Sequence, residues 1–294
     1  MFEGTHVAMV TDFKDGKLNV DGFKQHASAL IAGGVNGLVP AGCTGEAATL
    51  TLDERTAVVR AAVEARGNNK KVSIIPGTGT NSTATTIELS KAVEDLGVDA
   101  VMLITPYYNK PTQGGLLKHY ETVAGAIELP IVLYNVPGRT GVNMLPDTVA
   151  ELAKVDNIVA IKEAAGSVDQ VSRICAGTNI TVLSGDDSLT LPMMAVGAKG
   201  VVSVAGNVAP RGVSRMVRAF LEGRADEARD IHLRLLNLFH VLFVETNPGP
   251  VKAAVQMQGL GTGEIRLPLV PVSEESRAEI RAVLEELDLL GDQR

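Results

Sequence analysis

The sequence predicts an α/β fold: a (β/α)8 TIM barrel followed by a small C-terminal helical domain. Three observations carry this reading. Eight short apolar runs recur along the chain with helical patterns between them. Roughly 20 to 35 residues separate one run from the next, the length of a βα unit. Beyond the eighth run the alternation stops and only helical patterns remain.

Strands are expected near Val7–Thr11, Gly37–Ala41, Val72–Gly77, Ala100–Thr105, Pro130–Asn135, Ile158–Lys162, Ile180–Gly185 and Gly200–Val204. Runs such as Ile158 to Ile161 lack alternation because a parallel strand is covered on both faces. After the second run, Thr51 and Glu54 form a capping-box pattern ahead of Val58, Val59, Ala62 and Val63, and Gly67 suits the stop. After the third, a helical run from about Thr83 ends at Gly97. Eight strand–helix units fit a closed barrel better than the alternative, an open doubly wound sheet. A domain boundary is expected near Gly223, dividing residues 1–223, the barrel, from residues 224–294, with helices at Ala225–Phe243, Val251–Gly259 and Glu274–Leu290.

Composition narrows the function. The chain of 294 residues is 45% hydrophobic and 21% charged, as in a globular protein, and its net charge of −7 comes with few aromatics and no basic run. Nucleic acid is not an expected partner. The N-terminus lacks a basic region followed by an apolar export segment, and no stretch approaches the ~20 apolar residues that span a bilayer. A cytoplasmic protein with no membrane contact is expected. Two cysteines, Cys43 and Cys175, make no disulfide framework. The five histidines show no metal-ligand spacing, so no metal or cofactor is expected.

In a barrel of this kind the loops after the strands build the site. The polar residues at those ends are Thr11; Cys43, Thr44 and Glu46; Thr78 and Thr80; Thr105, Tyr107, Tyr108 and Asn109; Tyr134, Asn135 and Arg139; Lys162 and Glu163; Ser184 to Asp187; and Ser203. Lys162 closes an otherwise apolar strand. Burial disfavours the ammonium, and a neutral amine attacks a ketone or aldehyde to give a Schiff base whose iminium acts as an electron sink. Such chemistry needs a proton shuttle, and Tyr134, on the adjacent strand end, is suited to it. Arg139 in PGRTG is suited to holding a carboxylate through two parallel hydrogen bonds. The glycine-containing segment Ala41–Leu50 offers backbone N–H groups and a threonine hydroxyl before a helix, a place for a small anion. Asp186 and Asp187 lack a third ligand and are assigned to loop and helix-cap roles.

The segments GCTGEAATL, ITPYYNKPTQGG, LYNVPGRTG, IKEAAG, LSGDD and NPGPVK, in this order, resemble the dihydrodipicolinate synthase family of the pyruvate-dependent class I aldolases. The resemblance runs from Met1 to about Leu290. It implies a lyase condensing pyruvate with L-aspartate 4-semialdehyde on the route to diaminopimelate and lysine, working as a homotetramer built as a dimer of dimers. Carried over by position, Lys162 matches the imine-forming lysine and Tyr134 the tyrosine that moves protons. Tyr108 matches the tyrosine supplied across the subunit interface, with Tyr107 beside it. Thr44 matches the group that receives the pyruvate carboxylate, and Arg139 the arginine that binds the semialdehyde's carboxylate. Gly185 and Val202 match backbone positions lining the pyruvate pocket.

Two departures from the family pattern stand out. Cys43 takes the place of the hydroxyl residue that bridges the two tyrosines, so a softer, weaker hydrogen-bonding group enters the relay. At the positions matching the family's lysine-effector site, Thr85 replaces an acid and Leu52 and Arg55 replace histidines, while Asn81 and Tyr107 remain. Losing the carboxylate removes a charge-assisted bond of about 1.5–3 kcal/mol, so weak or absent lysine inhibition is expected. Two other functions compatible with Lys162 are an aldolase cleaving a 2-keto-3-deoxy sugar acid and a non-catalytic paralogue that binds a keto acid.

Overall fold

The computed structural model describes residues 2–290. Eight parallel strands form the central sheet: β1 (Gly4–Ala8), β2 (Gly37–Val39), β3 (Ser73–Ile74), β4 (Val101–Ile104), β5 (Ile131–Asn135), β6 (Ile158–Glu163), β7 (Thr181–Ser184) and β8 (Gly200–Ser203). Their order is β3-β2-β1-β8-β7-β6-β5-β4. The two ends of this row meet through backbone bonds outside the regular ladder. Asp99 N–H donates to Ile74 O at 2.9 Å, Met102 N–H to Pro76 O at 2.8 Å and Thr78 N–H to Met102 O at 3.1 Å, closing the barrel.

Inward-facing side chains, among them Ala8, Val39, Ile75, Met102, Val132, Tyr134, Ala160, Leu183 and Val202, form the barrel's interior cluster. The larger core lies outside the sheet, between strands and helices. The expected helices appear: α1 (Val20–Ala32), α2 (Leu52–Arg66), α3 (Thr83–Glu94), α4 (Gln113–Ala124), α5 (Pro137–Thr140), α6 (Pro146–Leu152), α7 (Val168–Gly177), α8 (Thr190–Ala195) and α9 (Pro210–Leu221). The Thr51–Glu54 capping box is formed in full at the start of α2. After Gly223 the described residues hold helices only: α10 (Ala225–Val241), α11 (Gly249–Met257) and α12 (Glu274–Glu286). None of the described helices is long and apolar enough to cross a membrane.

The first strand begins three residues earlier than the apolar pattern indicates. Thr5 and His6 are polar yet fully inside, and their polarity hides the strand's start from a hydropathy reading. Burial without a compensating charge pushes the His6 imidazole down to about 4. The third strand is shorter than expected, two residues, although its backbone continues to pair as far as Gly77.

Candidate active site

A cavity of about 350 Å³ opens at the C-terminal ends of the strands. Its wall includes Cys43 from the β2 loop, Gly77, Gly79 and Thr80 from the β3 loop, Tyr107 after β4, Tyr134 on β5, Arg139 on α5, and Asn247 just before α11. Two glycines of the segment PGTGT are required here by close backbone approach. A Cβ on Gly77 would lie 2.5 Å from Ala41 O, and one on Gly79 would lie 2.4 Å from Ile104 N.

Lys162 is 4% exposed and stands behind Tyr134 rather than on the cavity wall. The two residues are register partners on β6 and β5, so both point into the barrel, and the Lys162 ammonium lies 4.2 Å from the centre of the Tyr134 ring. Among the described residues Lys162 has no hydrogen-bond or ion-pair partner, and burial lowers its pKa from the usual lysine value. Electrostatic interaction with Asp186 and Asp187 opposes that shift, and Arg139 reinforces it. Burial likewise raises the Tyr134 phenol well above its ordinary value, with Cys43 adding to the rise and Arg139 opposing it. This arrangement holds an amine toward its neutral form and a phenol in its protonated form, an amine nucleophile next to a proton donor.

Gly185 closes the back of this group. A Cβ there would fall 2.5 Å from Ala164 Cβ and 3.1 Å from Lys162 Cε, so the β7 loop can pass the lysine only as glycine. Val202 is buried in the same interior cluster as Tyr134. Glu163, next in sequence to Lys162, faces the opposite way. It accepts from Asn135 Nδ2 at 3.1 Å, Gln170 Nε2 at 3.2 Å and Ala165 N at 2.8 Å, tying β5, β6 and α7 together behind the site.

The β2 loop departs from the anion site expected before a helix. Gly45, Glu46 and Ala47 donate their N–H groups back to Gly42 O or Cys43 O, and α2 is capped by its own Thr51. Thr44 differs from these neighbours. It is buried, its N–H makes no bond among the described residues, and its hydroxyl oxygen accepts from Asn247 Nδ2 at 3.1 Å. Arg139 is exposed at the rim, and its Nη2 donates to Asn247 O at 3.2 Å. Tyr107 meets the cavity; Tyr108 does not, being 88% exposed with a backbone φ of 72°. The helix-cap role expected for Asp186 is not made, since no side-chain cap bond forms there. Asp187 instead accepts from Ser203 and from the N–H groups of Val204 and Ala205, at 3.0 and 2.9 Å, closing the loop after β8.

Sequence reasoning missed the contribution of the last third of the chain. Lys252 of α11 meets Glu46 at 2.5 Å with both side chains almost fully buried, and its ammonium stands 4.5 Å from the Phe13 ring centre. Glu46 adopts a left-handed backbone, φ 54°, and its second oxygen accepts from Arg266 N at 3.0 Å. Arg266 in turn holds Glu54 in a bidentate pair that draws its carboxyl down to about 2. The available signal was the one that exposed Lys162: an ammonium inside an apolar run, here GPVKAAV.

Residues 1–287 match the family model of the dihydrodipicolinate synthetase family. The chain belongs to this family. Among the dihydrodipicolinate synthetase relatives, the 4-hydroxy-tetrahydrodipicolinate synthase of Pelobacter propionicus is 50% identical over 292 residues, covering 99% of this chain and 100% of its own. The crystal structure of dihydrodipicolinate synthase from Aquifex aeolicus superposes with a TM-score of 0.96 at 43% identity, over 99% of this chain and 100% of its own. The enzyme from Cyanidioschyzon merolae with lysine bound is 39% identical with a TM-score of 0.95, over 98% and 99% of the two chains. The dihydrodipicolinate synthetase match therefore extends through α12 and includes the C-terminal segments that line the cavity at Asn247 and Leu269.

Proposed function

We propose that this chain is a lyase that condenses pyruvate with L-aspartate 4-semialdehyde to 4-hydroxy-tetrahydrodipicolinate, in lysine and diaminopimelate biosynthesis. The observation that carries the proposal is the buried Lys162 amine, without a partner among the described residues, against Tyr134 in a chain of this family. In this reading Lys162 Nζ attacks the ketone carbon of pyruvate and water leaves, giving an imine. Loss of a methyl proton gives an enamine, whose carbon attacks the aldehyde while the aldehyde oxygen takes up a proton. The semialdehyde's amino group then displaces Lys162 from the imine carbon, closing the ring and freeing the enzyme. Tyr134 moves the protons, Thr44 receives the pyruvate carboxylate and Arg139 the acceptor's carboxylate. Gly185 and the Val202 backbone line the pyruvate pocket.

Cys43 occupies the place between the tyrosines. Tyr108 points away from this chain's cavity, which supports a role in a neighbouring subunit's site and an assembly of two tight dimers, with Tyr107 at that interface. A cytoplasmic location accords with a biosynthetic role. The test is condensation in the presence of both substrates, read as NADPH oxidation by an excess of the downstream reductase. Turnover is expected, and Lys162→Ala is expected to lose roughly 10³-fold or more. Borohydride trapping of pyruvate without turnover would move the assignment to an aldolase with another aldehyde.

A further inference from the structure

Thr44 and Asn247 are 203 residues apart in sequence and meet inside the protein, where Asn247 Nδ2 donates to Thr44 Oγ1 at 3.1 Å. Both residues are buried, and this is the only hydrogen bond the Thr44 hydroxyl makes among the described residues. A threonine hydroxyl has one proton to give and two lone pairs to receive. Because Asn247 supplies the donor, one lone pair is engaged and the hydroxyl proton stays uncommitted, as does the Thr44 backbone N–H. The Asn247 backbone carbonyl accepts from Arg139 Nη2 at 3.2 Å, while its side-chain Oδ1 is buried without a partner among the described residues.

We infer that Asn247 is a positioning residue that sets the polarity of the Thr44 hydroxyl, so that Thr44 presents two donors, O–H and N–H, to the carboxylate of the keto acid. This rests on the reading of Thr44 given under the proposed function. Donors held in place for an anion bind it without first breaking another bond, whereas a hydroxyl donating to a side-chain acceptor turns a lone pair toward the incoming charge. Through its backbone the same residue joins the donor-acid pocket to the arginine at the mouth.

The test separates polarity from packing, because aspartate has nearly the shape of asparagine but can only accept. The pyruvate concentration that half-saturates borohydride trapping of Lys162 is measured for wild type, Asn247→Ala, Asn247→Asp and each change in a Thr44→Val background, with folding checked by thermal melts. Loss of one hydrogen bond in Asn247→Ala is expected to raise the half-saturating concentration about fivefold. Asn247→Asp, which draws the Thr44 proton to itself and sets a negative charge near the carboxylate, is expected to raise it roughly tenfold further. In the Thr44→Val background Asn247→Ala is expected to have no added effect, and the excess of aspartate over alanine is expected to shrink to its charge contribution. Aspartate binding pyruvate as well as alanine does, or better, would show that Thr44 gives its proton to this side chain and would overturn the inference. A wild-type protein that traps no pyruvate would overturn the imine reading and this inference with it.

Discussion

The Glu46–Lys252 pair gives a prediction whose size follows from its burial. The two charges are 2.5 Å apart, with side chains 2% and 3% exposed, and neither reaches water to recover its hydration when the other is removed. Among the described residues Lys252→Met leaves the Glu46 carboxylate with only the Arg266 N–H as a partner, and it is expected to cost about 3–5 kcal/mol, the usual range for stranding one member of a buried pair. Glu46→Gln strands the ammonium against the Phe13 ring and is expected to cost a similar amount. The double change Glu46→Gln/Lys252→Met removes both charges, so most of the loss is expected to return, with a coupling of roughly 3 kcal/mol. The assay is urea denaturation of the four proteins at one protein concentration, supported by melting temperatures, where each kcal/mol is worth about 2 °C in a chain of this size. Because Glu46 bonds back to Cys43 O through its N–H, the single variants are also expected to slow pyruvate imine formation by displacing the β2 loop. Additive single changes, each below about 1 kcal/mol, would refute the claim that this pair is a desolvated brace.

Asp186 raises the Lys162 pKa, so Asp186→Asn is expected to lower it further and to move the acid limb of the trapping rate toward lower pH; a shift toward higher pH would contradict the arrangement. The sign follows because a neighbouring anion favours the ammonium, and removing it leaves more neutral amine at a given pH. Cys43→Thr is expected to keep turnover, and thiol alkylation is expected to inactivate at Cys43, which lies on the cavity wall, with pyruvate protecting; inactivation insensitive to pyruvate, mapped by peptide mass, would place the reactive thiol elsewhere. Lysine is expected to inhibit weakly or not at all, since Arg55 sits on the cavity wall bonded to Gly77 O and Ala47 O, and the exposed Thr85 offers no charge; strong inhibition at sub-millimolar lysine in the coupled assay would overturn this.

What could be read from the sequence was what repeats along it or sits at one end of a strand. Alternating apolar runs gave the barrel, and the rule that barrel chemistry gathers after the strands picked out Lys162, Tyr134 and Arg139. The start of β1 was hidden because Thr5 and His6 are polar but buried, a case in which tertiary packing overrides hydropathy. The partners of Thr44 and Glu46 were hidden for a different reason. Asn247 and Lys252 lie more than 200 positions away, and no local pattern encodes which distant loop a side chain will meet. Asp187 shows a nearer version of this limit: its bonds reach the loop after the neighbouring strand β8, a pairing that the order of strands in the barrel sets and no local cap pattern encodes.

The closure of the barrel between β3 and β4 also bears on how the molecule breathes. Seven of its seams are strand ladders, while this one is held by a few backbone bonds around Pro76, Thr78 and Met102. In deuterated buffer the amide protons of Thr78 and Met102 should therefore be replaced sooner than those of the β5–β6 ladder, which pairs from Ile131 to Asn135. The β2 loop lies directly against this seam, Ala41 O facing Gly77 at a distance that no side chain could enter. A ligand gripping Thr44 and its neighbours would thus act as a clasp on this seam, and occupancy of the site would be legible as slowed isotope exchange at Thr78 and Met102.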